Sequence, residues 1–214
     1  MRALTPLEAR ALGVLIEKQH TVPDTYPLSL NALVGGCNQK TARDPVIEAT
    51  DTEVLTAVDG LKGLSLVFEG SSSRVVKFEQ NLGRVLHLPS QAVALLAVLM
   101  LRGPQTAAEL RLNSERLHRF ADISSVEGFL DEMAAKQPPR VVKLARAAGA
   151  REARWAHLLC GEVAAPVWQA GVAGESEVSA GELAALKSEQ TRMAAELDTL
   201  KALVQRMADE LGIR

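Results

Sequence analysis

The chain has 214 residues, of which 47% are hydrophobic and 3% aromatic, and its formal net charge is −2 at pH 7. This length suits one or two small globular domains, and the near-neutral charge argues against a nucleic-acid binder that is basic over its whole surface. Only two cysteines, Cys37 and Cys160, are present. They exclude a disulfide framework and are typical of reduced thiols in a cytoplasmic protein.

The N-terminus lacks the basic-then-apolar pattern of a signal peptide. The longest apolar run, residues 92–101, is about half as long as a bilayer-spanning helix must be. We therefore expect a soluble, cytoplasmic protein without a membrane partner.

The sequence repeats itself. Residues 14–18 (VLIEK) align with residues 98–102 (VLMLR) at an offset of 84, and similar patterns follow each of them. In both copies an apolar helix precedes a short capped helix, a capped amphipathic helix and two β-like runs around a loop of small residues. This order predicts tandem winged helix-turn-helix domains, in a mainly α fold with small β-wings.

In the first copy, the capping box at residues 5–8 starts a helix whose charged positions, Glu8 and Arg10 among them, are expected to face solvent. Ser29 caps a second helix that Gly35 and Gly36 should stop, and residues 50–53 form another capping box. The runs 64–69 and 74–79 predict the wing.

In the second copy, Ser90 begins the first helix, Gly103 and Pro104 end it, and Thr106 caps the next. A capping box at residues 124–127 predicts the start of the third helix. The runs 140–146 and 151–159 predict the second wing.

The C-terminal segment has a different pattern. Residues 161–178 are predicted to be a linker, and residues 179–214 an amphipathic helix with a heptad seam that forms a coiled-coil homodimer. The seam residues are Leu183, Leu186, Gln190, Met193, Leu197, Leu200, Val204, Met207 and Leu211. The alternative is that this helix folds back on its own chain. The predicted domains are thus 1–87, 88–160, the linker 161–178 and the helix 179–214.

Two segments resemble a known family. Residues 24–46, which contain GCNQKTARDP, and residues 88–120 closely resemble the YceH-like family of uncharacterised bacterial proteins. The resemblance covers about residues 3–160 and implies a tandem winged-helix fold. It brings no catalytic or binding residues with it.

Winged helices usually bind DNA by placing the third helix in the major groove and the wing on the backbone. In the first copy, carboxylates at Asp51, Glu53 and Asp59 make the third helix unsuitable for this role. The second copy is basic: residues 90–160 hold ten Lys and Arg against seven Asp and Glu. The candidate phosphate contacts are Arg111, Arg116, Arg119, Arg146, Arg151 and Arg154 in the second copy, and Lys40, Arg43, Arg74 and Lys77 in the first.

Two functions follow as hypotheses. The first is a DNA-associated, transcription-regulatory protein whose second wing contacts the phosphates of double-stranded DNA. The second is a protein–protein interaction scaffold that uses its winged helices and its C-terminal helix without binding DNA directly. The four histidines are isolated from one another, and no phosphate-binding glycine loop occurs. We therefore expect no enzyme, no metal and no cofactor.

Overall fold

The computed structural model describes residues 1–70, 75–146 and 152–163, all of which belong to one compact unit, Met1–Pro166. The elements of the first copy are α1 (Pro6–Thr21), a 3₁₀ turn (Pro23–Thr25), β1 (Leu28–Ser29), α2 (Leu30–Cys37), α3 (Asp51–Gly63), β2 (Val67–Gly70) and β3 (Lys77–Gln80). A short helix, α4 (Leu82–Leu86), joins it to the second copy, which comprises α5 (Ser90–Arg102), α6 (Ala107–Asn113), α7 (Ile123–Ala134), β4 (Val141–Lys143) and β5 (Trp155–His157). The protein is therefore mainly α with small antiparallel β elements.

Each copy contains one small sheet. The first has the order β1-β3-β2, in which Leu28 pairs with Phe78, and Phe68 pairs with Glu79. The second contains β4 and β5 in antiparallel register, with Val142 opposite Ala156. In the described residues, the paired strands are shorter than the apolar runs that the sequence predicted.

The capping residues in the sequence correctly predicted where several helices begin. The side chains of Thr5, Thr50 and Thr106 each accept a hydrogen bond from the backbone N–H three residues on. In return, the backbone N–H of each threonine donates to the carboxylate of the glutamate at that position. The predicted start of α7 is wrong. Asp122, not Ser124, is its N-cap, and the reciprocal partner is Ser125 rather than Glu127.

Helix α1 is buried on nearly all sides. Residues 8–16 are all buried, including Glu8 (3% exposed) and Arg10 (4% exposed). The predicted solvent-facing side of α1 is therefore wrong, because α5 packs on α1 in addition to α2 and α3. The Arg10 guanidinium donates to the carbonyls of Cys37 and Pro45, so its charge is solvated by backbone dipoles.

Gly36 of α2 serves packing rather than termination. The helix continues through Gly35 and Gly36 to Cys37, contrary to the sequence-based expectation. A Cβ on Gly36 would lie 2.5 Å from the Cγ1 of Val14. Glycine at this position therefore lets α2 approach α1 closely.

The segment GCNQKTARDP joins the two copies. Asn38 exchanges two 2.8 Å hydrogen bonds with the backbone of Ala49, which closes the loop on itself. The Asp44 N–H then donates to the carbonyl of Leu101 at the end of α5. The buried apolar residues of both copies form one continuous cluster, to which Leu82 and Leu86 of α4 also belong.

Arg43 holds this segment in place. Its side chain is 0% exposed, it pairs with both carboxylate oxygens of Glu17 at 2.9 and 3.0 Å, and its Nε donates to the carbonyl of Gly36. Burial alone would raise the pKa of the Glu17 carboxyl, but the hydrogen bonds from Arg43 and Lys18 hold this pKa below its ordinary value. Arg43 is therefore an interior structural residue, and this placement corrects its assignment as a surface cation.

Replacing Arg43 should destabilise the fold strongly. We expect Arg43→Ala to lower the free energy of unfolding by about 3 kcal/mol, because the Glu17 carboxylate and the Gly36 carbonyl lose their partner in a buried setting. Urea denaturation followed by circular dichroism measures this change. The matched control is Lys40→Ala, an exposed position in the same segment, which should alter stability by less than about 0.5 kcal/mol. Equal effects of the two substitutions would contradict the structural role of Arg43.

Candidate functional site

The third helix of the first copy presents carboxylates and an apolar residue to solvent. Asp51, Glu53 and Asp59 are exposed on α3, and Leu55 is 39% exposed. The only cation of this helix, Lys62, pairs with Asp59 and with Glu69 of β2. A surface of this kind repels DNA phosphates.

The third helix of the second copy has the same character. Its exposed ionisable residues are Glu127, Asp131 and Glu132, and the helix contains no lysine or arginine. Asp122, Ser124 and Ile123 are exposed where the helix begins, and Ile123 is 43% exposed. Both helices that a winged helix would place in a major groove are thus acidic.

The candidate cations of the first copy do not form one cluster. Arg43 is interior, Lys40 is exposed, and Lys77 is half-buried on β3. Arg74 lies outside the described residues.

Three of the six candidate arginines of the second copy have partners among the described residues. Arg154 forms a bidentate pair with Glu109 at 2.8 and 3.0 Å and also donates to the carbonyl of Pro104. Arg111 donates to the carbonyl of Ala121, and Arg119 pairs with Glu115 at 3.2 Å on an exposed surface. Arg146 is exposed at the end of the described segment 75–146, and Arg151 lies outside the described residues.

Arg116 belongs to a basic strip that both copies build. This strip consists of Lys18 at the end of α1, Arg102 at the end of α5, and Arg116 between α6 and α7. All three line one depression, together with Glu17, which pairs with Lys18 at 2.8 Å. Within residues 1–70, 75–146 and 152–163, neither Arg102 nor Arg116 forms a side-chain hydrogen bond or an ion pair. Sequence reasoning missed Lys18 and Arg102, although the repeat aligns them with each other at the offset of 84.

A cavity of about 530 Å³ lies between α1, the segment 44–49, the end of α5 and the residues around β5. Apolar side chains, Leu7, Leu99 and Met100 among them, line much of it. His157 also lines it, and its Nδ1 is buried without a hydrogen-bond partner among the described residues. Burial lowers the pKa of this imidazole to about 4, so the ring is neutral at physiological pH.

The ionisable groups do not form a metal site. In the described part of the chain, no group of three or more His, Cys, Asp or Glu residues could hold a metal ion. Cys37 is buried, and burial raises the pKa of its thiol to about 11, which keeps it protonated and unreactive. Cys160 is half-buried at the cavity, and burial raises its thiol pKa as well.

The predicted heptad seam stays untested. All nine residues of the heptad seam lie outside the described residues. Among the residues that the structure does describe, no helix is long and apolar enough to cross a bilayer.

The fold and its surfaces define a mainly helical protein with two small antiparallel sheets and an internal repeat. A family profile described as "Protein of unknown function, DUF480" matches residues 4–150. The chain belongs to this family, and the resemblance to an uncharacterised bacterial family is thereby confirmed.

Curated relatives match over almost their whole lengths. A UPF0502 protein of Burkholderia multivorans is 70% identical over 214 residues, which cover 100% of this chain and 91% of the relative. A UPF0502 protein of Burkholderia pseudomallei is 69% identical over 213 residues, with the same coverage. A UPF0502 protein of Leptothrix cholodnii is 66% identical over 216 residues, which cover 99% of this chain and 97% of the relative.

The neutral His157 makes the stability of the fold sensitive to mild acid. Its pKa is about 4 in the folded chain against an ordinary value of 6.5, so the unfolded chain binds the proton first. Stability should therefore fall as the pH decreases from 6.5 to 4, and His157→Asn should flatten this part of the profile. Thermal denaturation across this pH range measures the effect. The control, His87→Asn at an exposed position, should keep the slope of the wild type, and an unchanged slope in His157→Asn would contradict the assignment.

Proposed function

We propose that the described unit consists of two winged helix-turn-helix domains. Each copy follows the order helix, helix, helix, hairpin, and each has an extra backbone pairing just before its second helix. In the first copy, β1 pairs with β3, and in the second, Gln105 forms an isolated bridge to Trp155 of β5. This bridge occupies the place of a third wing strand, which supports the same architecture in both copies.

We propose that the protein is a non-enzymatic interaction scaffold that binds another protein through α3 and the first wing. The observation behind this proposal is the exposure of apolar side chains on these two elements. Leu55 on α3 is 39% exposed, and Phe68 and Val76 in the adjacent wing are 42% and 43% exposed. Exposed aromatic and aliphatic side chains bordered by carboxylates are typical of a protein interface and unsuited to a phosphate backbone.

A DNA-associated role is the second candidate, and a different surface supports it. The basic strip of Lys18, Arg102 and Arg116 could contact phosphates, although neither third helix would then enter the major groove. Such binding would be insensitive to sequence and strongly dependent on salt, since contacts with phosphate alone release counterions and read no bases.

Site-specific photo-crosslinking in cells separates the two candidates. A benzophenone amino acid at Phe68 should give a covalent adduct with a protein, because this exposed side chain lies on the proposed interface. Mass spectrometry then shows whether the crosslinked molecule is a protein or DNA. The control is the same amino acid at Arg84, an exposed position on α4, where we expect no such adduct.

DNA adducts at Phe68, or equal protein adducts at both positions, would contradict the scaffold. A salt titration with random duplex DNA provides the opposing test. Binding tighter than about 1 µM at physiological salt that is lost in the variant Arg102→Ala/Arg116→Ala would establish the DNA-associated role instead.

We propose further that residues 179–214 form a helix that dimerises the chain as a coiled coil. A helix of this length extends about 50 Å, and an apolar heptad seam along it requires a covering surface. Gln190 within the seam favours one register.

The mass in solution tests the dimer. The full chain should have about twice the 22.9 kDa mass of one chain, whereas a version ending at Pro166 should be a monomer. Sedimentation equilibrium at tens of micromolar measures both masses. Two monomers would refute the coiled coil, and two dimers would place the interface elsewhere.

A further inference from the structure

The basic strip of Lys18, Arg102 and Arg116 lines a compact depression that both copies build. Residues of α1, of the segment GCNQKTARDP, of α5 and of the end of α6 contribute to its wall. Its volume is about 110 Å³, which is below the roughly 300 Å³ at which pockets begin to enclose a whole small molecule. One compact group can therefore enter the depression, while the remainder of a ligand stays outside.

Cations outnumber the available carboxylates in this depression. Glu17 is its only acidic lining residue among those that the structure describes. Both oxygens of this carboxylate are bonded to the buried Arg43, at 2.9 and 3.0 Å, and one of them also lies 2.8 Å from the Nζ of Lys18. The negative charge of Glu17 is thus used within the protein, and it leaves Arg102 and Arg116 uncompensated.

Other carboxylates close to these two arginines do not pair with them. Glu115, which directly precedes Arg116, lies 3.2 Å from Arg119. Asp44 lines a second depression that shares Arg102, but within the described residues the two side chains form no ion pair. Two uncompensated guanidinium groups that line one small depression repel each other, and an anion bound there removes this repulsion.

The position of Arg116 is the most informative. Lys18 and Arg102 lie in the last turns of α1 and α5, where the helix dipoles also stabilise cations. Arg116 lies in the turn beyond the last turn of α6, where the dipole effect has declined, and its side chain is exposed. It nevertheless lines the same depression as the two helix ends. Three separate parts of the fold thus bring positive charge to one place.

We propose that this depression binds the terminal phosphate group of a small phosphomonoester, held by Arg102 and Arg116. The planar guanidinium of arginine can donate two parallel hydrogen bonds to phosphate oxygens. A phosphomonoester has a second pKa of about 6, so it carries nearly two negative charges at pH 7.

DNA fits this depression less well than a phosphomonoester. Each phosphate of a duplex carries one negative charge and is linked on both sides to the backbone, which keeps it from entering a compact depression. A small ligand would occupy the basic strip that the second candidate function assigns to DNA. It would leave the proposed scaffold face on α3 and the first wing free, so either site can fail without the other.

Four probes distinguish a terminal phosphate from other anions: inorganic phosphate, methyl phosphate, dimethyl phosphate and a short random-sequence DNA duplex. Each is titrated into the full chain at neutral pH and constant ionic strength, and binding is followed by NMR. Inorganic phosphate and methyl phosphate should give saturable shifts at the depression. We expect dimethyl phosphate to bind at least about fivefold more weakly, because it carries one negative charge in place of two. The duplex should not shift these resonances at the same phosphate concentration.

Variants locate the site. Arg102→Ala/Arg116→Ala should weaken methyl phosphate at least about tenfold, because both guanidinium donors are lost. The matched control Arg84→Ala/Lys136→Ala removes two positive charges outside the depression and should change the affinity less than about twofold. Arg116→Ala alone changes an exposed side chain in a turn, so the fold should persist while methyl phosphate binds about threefold more weakly. An unchanged affinity in this single variant would refute the site even if the double variant does not fold.

Three further results would overturn the proposal. One is the absence of saturable shifts with inorganic phosphate and methyl phosphate up to tens of millimolar. Another is an equal loss of affinity in the control variant, which would indicate a response to net charge. The last is binding of dimethyl phosphate or the duplex as tight as that of methyl phosphate. If Arg102→Ala/Arg116→Ala then abolishes the duplex binding, the basic strip serves the DNA-associated role instead.

Discussion

The packing of α1 against α5 is the contact on which the rest of the structure depends. Each of these helices is the first helix of its copy, and together they form the centre of one continuous core. Because α1 has neighbours on several sides, it must bury Glu8 and Arg10 as well as its apolar residues. Glu8 is stabilised by Arg2 and by the cap at Thr5, and Arg10 by backbone carbonyls. Both buried charges are thus paired by groups of the first copy.

The contacts between the two copies also determine which cations remain available at the surface. The segment GCNQKTARDP bonds to α5 through Asp44 and to α1 through Arg43, so its most basic side chain is used within the protein. Arg154 is similarly occupied by Glu109, whose carboxylate also caps α6. Lys18 is likewise paired with Glu17. Of the basic strip, Arg102 and Arg116 remain without such a partner among the described residues. Charge is thus distributed by structural pairing.

Sequence patterns predicted the features that depend on neighbouring residues. The capping boxes at Thr5, Thr50 and Thr106 involve residues three apart, and the order of elements follows from local periodicity. The burial of Arg43 could not be predicted in this way, because its partner Glu17 lies 26 residues away on another helix. Arg154 and Glu109 are separated by 45 residues. The cavity likewise has walls from both copies, and no local pattern indicates it.

The close approach of α2 to α1 at Gly36 and the shared core suggest why the repeat is kept within one chain. A single copy of the repeat would leave the α1 face that packs on α5 uncovered, and apolar surface of that kind is normally covered by a second subunit. The internal repeat therefore accomplishes within one chain what a homodimer of single copies would accomplish with two. Once the copies are joined, their sequences are free to diverge. One half can then acquire basic residues while the other keeps exposed apolar side chains, which identical subunits related by symmetry cannot do.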